Sequence, residues 1–242
     1  PIPRGHLWAL CGISFIAATL QYGLTYSGLA LMEATPAVLL VQSEVIFGVI
    51  IAAIILGEKP NIRQLIGIGV ALVGVAIILG APALNGQIIG VGLVLSGSLL
   101  FALGQVLIRR LDGALTGLQL TAWIGVMAGP QMLLASWIID GNPMLSILAA
   151  PIEAWLTVVY LGVVMTAIGY SAWYYVLTRY PVPMVMPVLL LLPVAAIFGA
   201  ITLLGEVPDP RVLIGGAVVI FGVGTVITDP SYLINWWRKK TG

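Results

Sequence analysis

Eight stretches of mainly apolar residues divide this chain, near positions 7–28, 36–57, 63–80, 87–108, 117–139, 155–177, 183–204 and 211–228. A bilayer core of ~30 Å is crossed by about 20 helical residues, so each stretch is long enough to span it. The gaps between them are short, and none can hold a folded soluble domain. Whatever the protein does must therefore be done within the membrane helices or at their ends, because irregular backbone is costly in lipid. Composition agrees: 60% of the residues are hydrophobic and 8% charged, against roughly 25% charged in an ordinary soluble domain. The fold class this implies is an all-α integral membrane protein, with the lipid bilayer as its solvent.

Several kinds of chemistry drop out early. A net charge of +1 with 10 basic residues offers no basic stripe for nucleic acid. One cysteine, Cys11, forms no disulfide framework, and one histidine without cysteine partners makes no structural zinc site, so neither metal nor cofactor is expected. The chain has no nucleophile elbow, phosphate-binding loop or paired carboxylates. It does not read as an enzyme.

Orientation follows from the basic residues once consecutive loops are assigned to alternate sides. Arg4, Lys59, Arg63, Arg109, Arg110, Arg179, Arg238, Lys239 and Lys240 fall on one side, and Arg211 stands on the other. The positive-inside rule then puts both chain ends in the cytoplasm. Residues 229–242, with Trp236 and Trp237 beside three basic residues, read as an interfacial tail.

The sequence also repeats. A shift of 148 positions lays Gly57-Glu58-Lys59-Pro60 on Gly205-Glu206-Val207-Pro208, with ten identities across the 22 positions from Gly57 to Ile78. Tyr22 and Tyr26 fall on Tyr170 and Tyr174. Spans one to three thus match spans six to eight. Matched helices are five crossings apart, and an odd number reverses direction, so the copies are expected to be inverted in the membrane. With five helices per repeat, residues 83–228 hold a complete second copy, and residues 1–82 hold the last three helices of the first. On that reading eight of ten helices are visible and about two spans precede Pro1; the alternative is an eight-helix protein that starts near here.

An apolar span ending in Gly-Glu, followed by Pro, a basic residue and Leu-Ile-Gly, occurs once per half. This pattern resembles the drug/metabolite transporter superfamily, in particular its EamA-type branch. Further motifs are similar to the exporters of cysteine and O-acetylserine within that branch. They are Leu84-Asn85-Gly86-Gln87, the Trp123 span closing at Ile138-Ile139-Asp140-Gly141, Tyr160-Leu161-Gly162 leading to Ile168-Gly169-Tyr170, and Arg179-Tyr180 followed by Leu191-Leu192-Pro193-Val194. The resemblance covers the whole chain. It implies a ten-helix fold of two inverted five-helix bundles in a bacterial inner membrane, moving a small metabolite or drug outward.

Within the spans one acid lies deep. Glu44 sits about nine residues inside its span, ~13 Å from the outer end. An acid there costs at least ~2.5 kcal/mol on insertion, so it faces a cavity, a partner or water, or carries a proton. Two roles stay open: exchange of a proton, or pairing with a substrate ammonium, during export, and a neutral acid hydrogen-bonded to a neighbouring helix. Its repeat position is Leu192, so such a site is not built symmetrically. Gln21, Tyr22 and Tyr26 in span one, Gln105 and Trp123 in spans four and five, and Tyr170 and Tyr174 in span six complete the candidate lining. A small zwitterion or a flat organic cation suits such an aromatic pocket, although membrane packing explains any one of these aromatics as well.

Pro130, Pro187 and Pro193 interrupt spans five and seven and are candidate hinges. Gly67 and Gly74 in span three, and Gly215 and Gly222 in span eight, form small-residue faces for close packing, with each other or across a homodimer. Glu58 and Glu206 read as helix-end residues without a part in recognition. The function expected is export by alternating access, with proton coupling through Glu44 as an open element; the alternative is a passive channel or a non-transporting membrane partner subunit.

Overall fold

The computed structural model describes residues 7–80, 87–111, 114–141, 147–204 and 207–228. The tail at 229–242, together with Arg4, Asp112 and Glu206, lies outside the described residues. Eight helices are long and apolar enough to cross a membrane: α1 (Leu7–Leu29), α2 (Pro36–Ile55), α3 (Ile62–Leu79), α4 (Ile88–Arg110), α5 (Gly117–Ile139), α6 (Ile152–Leu177), α7 (Val182–Leu203) and α8 (Pro210–Ile227).

Local sequence sets where these helices begin and end. Asn61 caps α3 and Thr116 caps α5, each in a reciprocal box in which the cap accepts from the backbone N–H of Gln64 or Gln119 while that glutamine side chain accepts from the cap N–H. Asp209, at the position matching Asn61, caps α8 by accepting from the Arg211 N–H at 2.8 Å. Hydrogen bonds from Arg211 also hold the Asp209 carboxyl below its usual range. The turn between α2 and α3 passes through Gly57 at a φ of 70°, a region closed to most side chains.

α3 and α8 form the most extensive helix pair. A Cβ built on Gly67 would stand 2.8 Å from the Gly222 carbonyl oxygen, and one on Gly222 would stand 2.7 Å from that of Gly67. Gly74 and Gly215 face each other likewise, at 2.8 Å in both directions. The helices are therefore antiparallel and touch backbone to backbone, within one chain. The contact is reciprocal, since Gly67 and Gly215 occupy matching repeat positions, as do Gly74 and Gly222.

α4 is the central helix, with α1 and α2 both packed on it. Gly90, Gly97 and Gly104 of α4 meet Gly28, Thr25 and Ala17 of α1, again antiparallel and again through glycine. α5 lies across the first turns of α1 and the second half of α6. From Ile152 to Gly169 no side chain of α6 is buried, whereas Tyr174 and Leu177 near its end are in the core.

Four of the spans depart from regular α-helix. α1 is π-helical over Phe15–Leu20, and α6 over Leu161–Tyr170. Shifted by the 148-residue repeat, the second of these segments overlays the first. α7 tightens to a 3-10 helix over Met186–Leu191, which contains the buried Pro187. α2 breaks at Gln42, where Gln42 and Val45 donate to carbonyls only three residues back.

Candidate functional site

A cavity of about 230 Å³ lies between α1, α5 and α6. α1 contributes Ala17, Ala18 and Tyr22; α5 contributes Thr121, Gly125, Ala128 and Gly129 among others; α6 contributes Thr166, Tyr170 and Tyr174. Both π-helical segments form part of its wall. Single-turn π insertions recur at functional sites because they shift the helix face by a fraction of a turn and loosen the backbone hydrogen bonding.

Tyr22 and Tyr170 join hydroxyl to hydroxyl across this cavity at 3.0 Å. They are 148 positions apart, so each is paired with its own repeat counterpart. Along each helix a second ring lies beside them, Tyr26 stacked on Tyr22 and Tyr174 tilted at 46° to Tyr170, both pairs with centroids 5.6 Å apart. Tyr174 is 4% exposed, and its hydroxyl makes no hydrogen bond among the described residues. The opposite wall is bare: a Cβ on Gly125 or Gly129 would meet nothing within 4 Å. Thr121 donates to the Gly117 carbonyl and accepts from Ser171.

The lining carries hydroxyls and apolar surface but no charged side chain. Glu44 is 8% exposed, in the first turn after the break in α2. It is not among the residues that line the cavity. It makes no ion pair among the described residues. Its two predecessors are also unsatisfied: Gln42 Oε1 and Ser43 Oγ are buried without a hydrogen-bond partner among the described residues. Polar atoms so placed cost free energy unless a ligand, a proton or water completes them.

The other candidate residues distribute as follows. Gln105 is buried and accepts from Trp173 Nε1 at 2.8 Å. Trp123 packs against the core beside the cavity. Gln21 donates to Thr25 within α1 and does not line the cavity. Tyr26 is 63% exposed and reaches the site only through its stack on Tyr22. Pro130 lies inside α5 directly after Gly129, while Pro193 is buried near the start of the regular part of α7.

The structure adds two features. Gln131 of α5 is a polar bridge to α1: it accepts from Thr19 at 2.8 Å and donates to Ser14 at 3.2 Å. Glu58 is more than a helix-end residue. Its carboxylate accepts from Arg109 Nε at 3.0 Å and from the Val182 N–H at 2.7 Å, while Arg109 also donates to the Thr178 carbonyl. It thereby ties the α2–α3 turn to the end of α4 and the connection between α6 and α7. The sequence placed Glu58 at a helix end, where it stands, but adjacency in sequence carried no hint of Arg109, which is 51 residues away.

The sequence profile of the EamA-like transporter family matches residues 1–80 and 88–228, and the chain belongs to that family. A relative from Streptantibioticus cattleyicolor, named a probable terminal-alkyne amino-acid exporter, is 32% identical over 89% of this chain and 70% of its own length. Proteins of Salmonella typhimurium and Escherichia coli, each named a probable amino-acid metabolite efflux pump, are 27% identical over 91% of this chain and 77% of theirs. A protein known from its crystal structure shares the fold, with a TM-score of 0.75 at 18% identity, over 91% of this chain and 76% of that one. The chain is thus an all-α membrane protein of a transporter family.

Proposed function

We propose that the protein exports small amino-acid-like or drug-like metabolites from a bacterial cytoplasm across the inner membrane, by alternating access about the cavity between α1, α5 and α6. The observation that carries this reading is the hydroxyl-lined cavity in the interior of the spans, closed on one side by the Tyr22–Tyr170 bond and bounded by loosened turns on both helices. Transporters place their sites near the bilayer midplane at the meeting of two repeats, on interrupted helices. Support comes from the 148-residue sequence repeat, from the reciprocal glycine contacts of α3 and α8 and from the exporter names of the relatives. On this reading the two copies of the repeat are inverted in the membrane, and both ends of this chain face the cytoplasm.

Tyrosine and threonine hydroxyls can bind the carboxylate or ammonium of a zwitterion, and the Gly125–Gly129 wall leaves room for its side chain. Glu44, buried just after the break in α2, is the group that exchanges a proton with the outside or pairs with the substrate ammonium. The test is uptake of a radiolabelled amino acid such as cysteine into everted membrane vesicles that contain the protein, with an imposed proton gradient. Accumulation above the outside concentration supports export, and Glu44→Gln should abolish the dependence on the gradient. Equilibration without accumulation indicates a passive channel; no movement of any amino acid or cationic drug indicates a partner subunit.

A further inference from the structure

Arg109 and Arg110 end α4 side by side, and their surroundings differ. Arg109 is committed to Glu58 and Thr178. Arg110 is exposed and makes no hydrogen bond or ion pair among the described residues. It stands at the edge of a groove of about 420 Å³ between the first turns of α1 and the last turns of α4, lined by Trp8, Gly12, Ile16, Leu107 and Leu111.

The groove arises from a change in how the two helices meet. From Gly28 to Ala17, α1 lies on α4 through Gly90, Gly97 and Gly104. Past Ala17, α4 presents Leu107, Arg110 and Leu111 instead of glycine, and α1 turns Gly12 outward, where a Cβ would meet nothing within 4 Å. Gly12 is therefore bare without serving helix contact, and the apolar trough beside it is uncovered among the described residues. In a bilayer its surroundings are acyl chains. At the mouth of the trough Trp8, 87% exposed, is of the type that settles at headgroup depth. Arg110 puts a guanidinium without a partner among the described residues at the same level, and its planar donors suit a phosphate.

We propose that this groove is a binding site for an anionic phospholipid, with an acyl chain laid along Gly12, Ile16 and Leu107 and the headgroup phosphate held by Arg110. Charge complementarity selects the occupant: a zwitterionic lipid brings its own ammonium and gains less from a lone arginine, whereas an anionic headgroup gains about fivefold in affinity from one surface cation. The site is separate from the cavity between α1, α5 and α6 and does not depend on what the protein transports.

Native mass spectrometry of the detergent-purified protein, titrated with dioleoyl phosphatidylglycerol or dioleoyl phosphatidylcholine, tests it. The wild type should retain one phosphatidylglycerol about fivefold more tightly than phosphatidylcholine. Arg110→Gln should bring the two lipids to equal retention, and Gly12→Leu, which fills the trough, should weaken both. Lys59→Gln, an exposed cation outside the lining of the groove, should change nothing. Equal retention of both lipids by the wild type, or a preference that survives Arg110→Gln, overturns the proposal. Unweakened binding to Gly12→Leu would overturn the placement of the acyl chain.

Discussion

The hydroxyl bond between Tyr22 and Tyr170 joins one residue to its own repeat counterpart, which makes its energetics simple to test. Removing either hydroxyl destroys the same bond, so Tyr22→Phe and Tyr170→Phe should not add. A double-mutant cycle on thermal unfolding in detergent should give a coupling of about 0.6 kcal/mol, the average for side-chain hydrogen bonds in membrane helices, and no more than about 1.7. Export should fall much further than stability if these hydroxyls orient the substrate. On the opposite wall, Gly125→Leu fills open space. It should leave the unfolding temperature within a few degrees of wild type while abolishing transport of larger amino acids before small ones. Part of this was legible from residues alone. The repeat offset singled out Tyr22 and Tyr170 before any geometry was known. It could not tell that Tyr26, four residues on, points away from the cavity, nor that Gly125 and Gly129 are bare while Gly67 and Gly74 are tightly packed. In sequence, a glycine that admits a ligand and a glycine that admits a helix look the same.

At the scale of elements, the eight spans were readable to within a few residues, because a sum of transfer energies over about 20 positions is a strong signal. What the sum does not contain is the departure from regular helix. The π-helical turns of α1 and α6 carry no Pro, and nothing in their composition announces them. Long-range ties were equally hidden, as Glu58 shows. That junction fastens one end of the bundle, where the α2–α3 turn, α4 and the α6–α7 connection converge. Its ion pair is about 18% exposed on both sides, so losing one partner strands the other in a partly dry place at about 1–3 kcal/mol. Glu58→Ala should accordingly raise amide hydrogen exchange around Thr178–Val182, and Arg109→Met should do the same. If exchange there stays at the wild-type rate in both variants, the junction does not secure that end. Close packing of α3 on α8 makes the opposite forecast for bulk. Gly74→Leu should lower stability by more than about 1–3 kcal/mol, because the neighbour to be displaced is backbone rather than a flexible side chain.

For the whole molecule the decisive question is which surfaces face which compartment. Lys59 precedes α3, and Arg211 stands in the first turn of its matched helix α8. If the two copies thread the bilayer in opposite senses, single cysteines at these positions in a Cys11→Ser background should be labelled from opposite sides by an impermeant maleimide. Labelling from one side would remove the inversion, and alternating access between halves with it. The antiparallel α3–α8 contact follows from the structure, whereas the assignment of sides rests on charge alone. Bulk movement must also respect that contact. Gly67, Gly74, Gly215 and Gly222 leave no layer of side chains between the two helices, so the pair has nothing soft to slip on. It would behave as a keel that holds its shape while the rest of the hull rolls: spin labels on α3 and α8 should keep one separation with and without substrate, and those on α1 and α6 should report two.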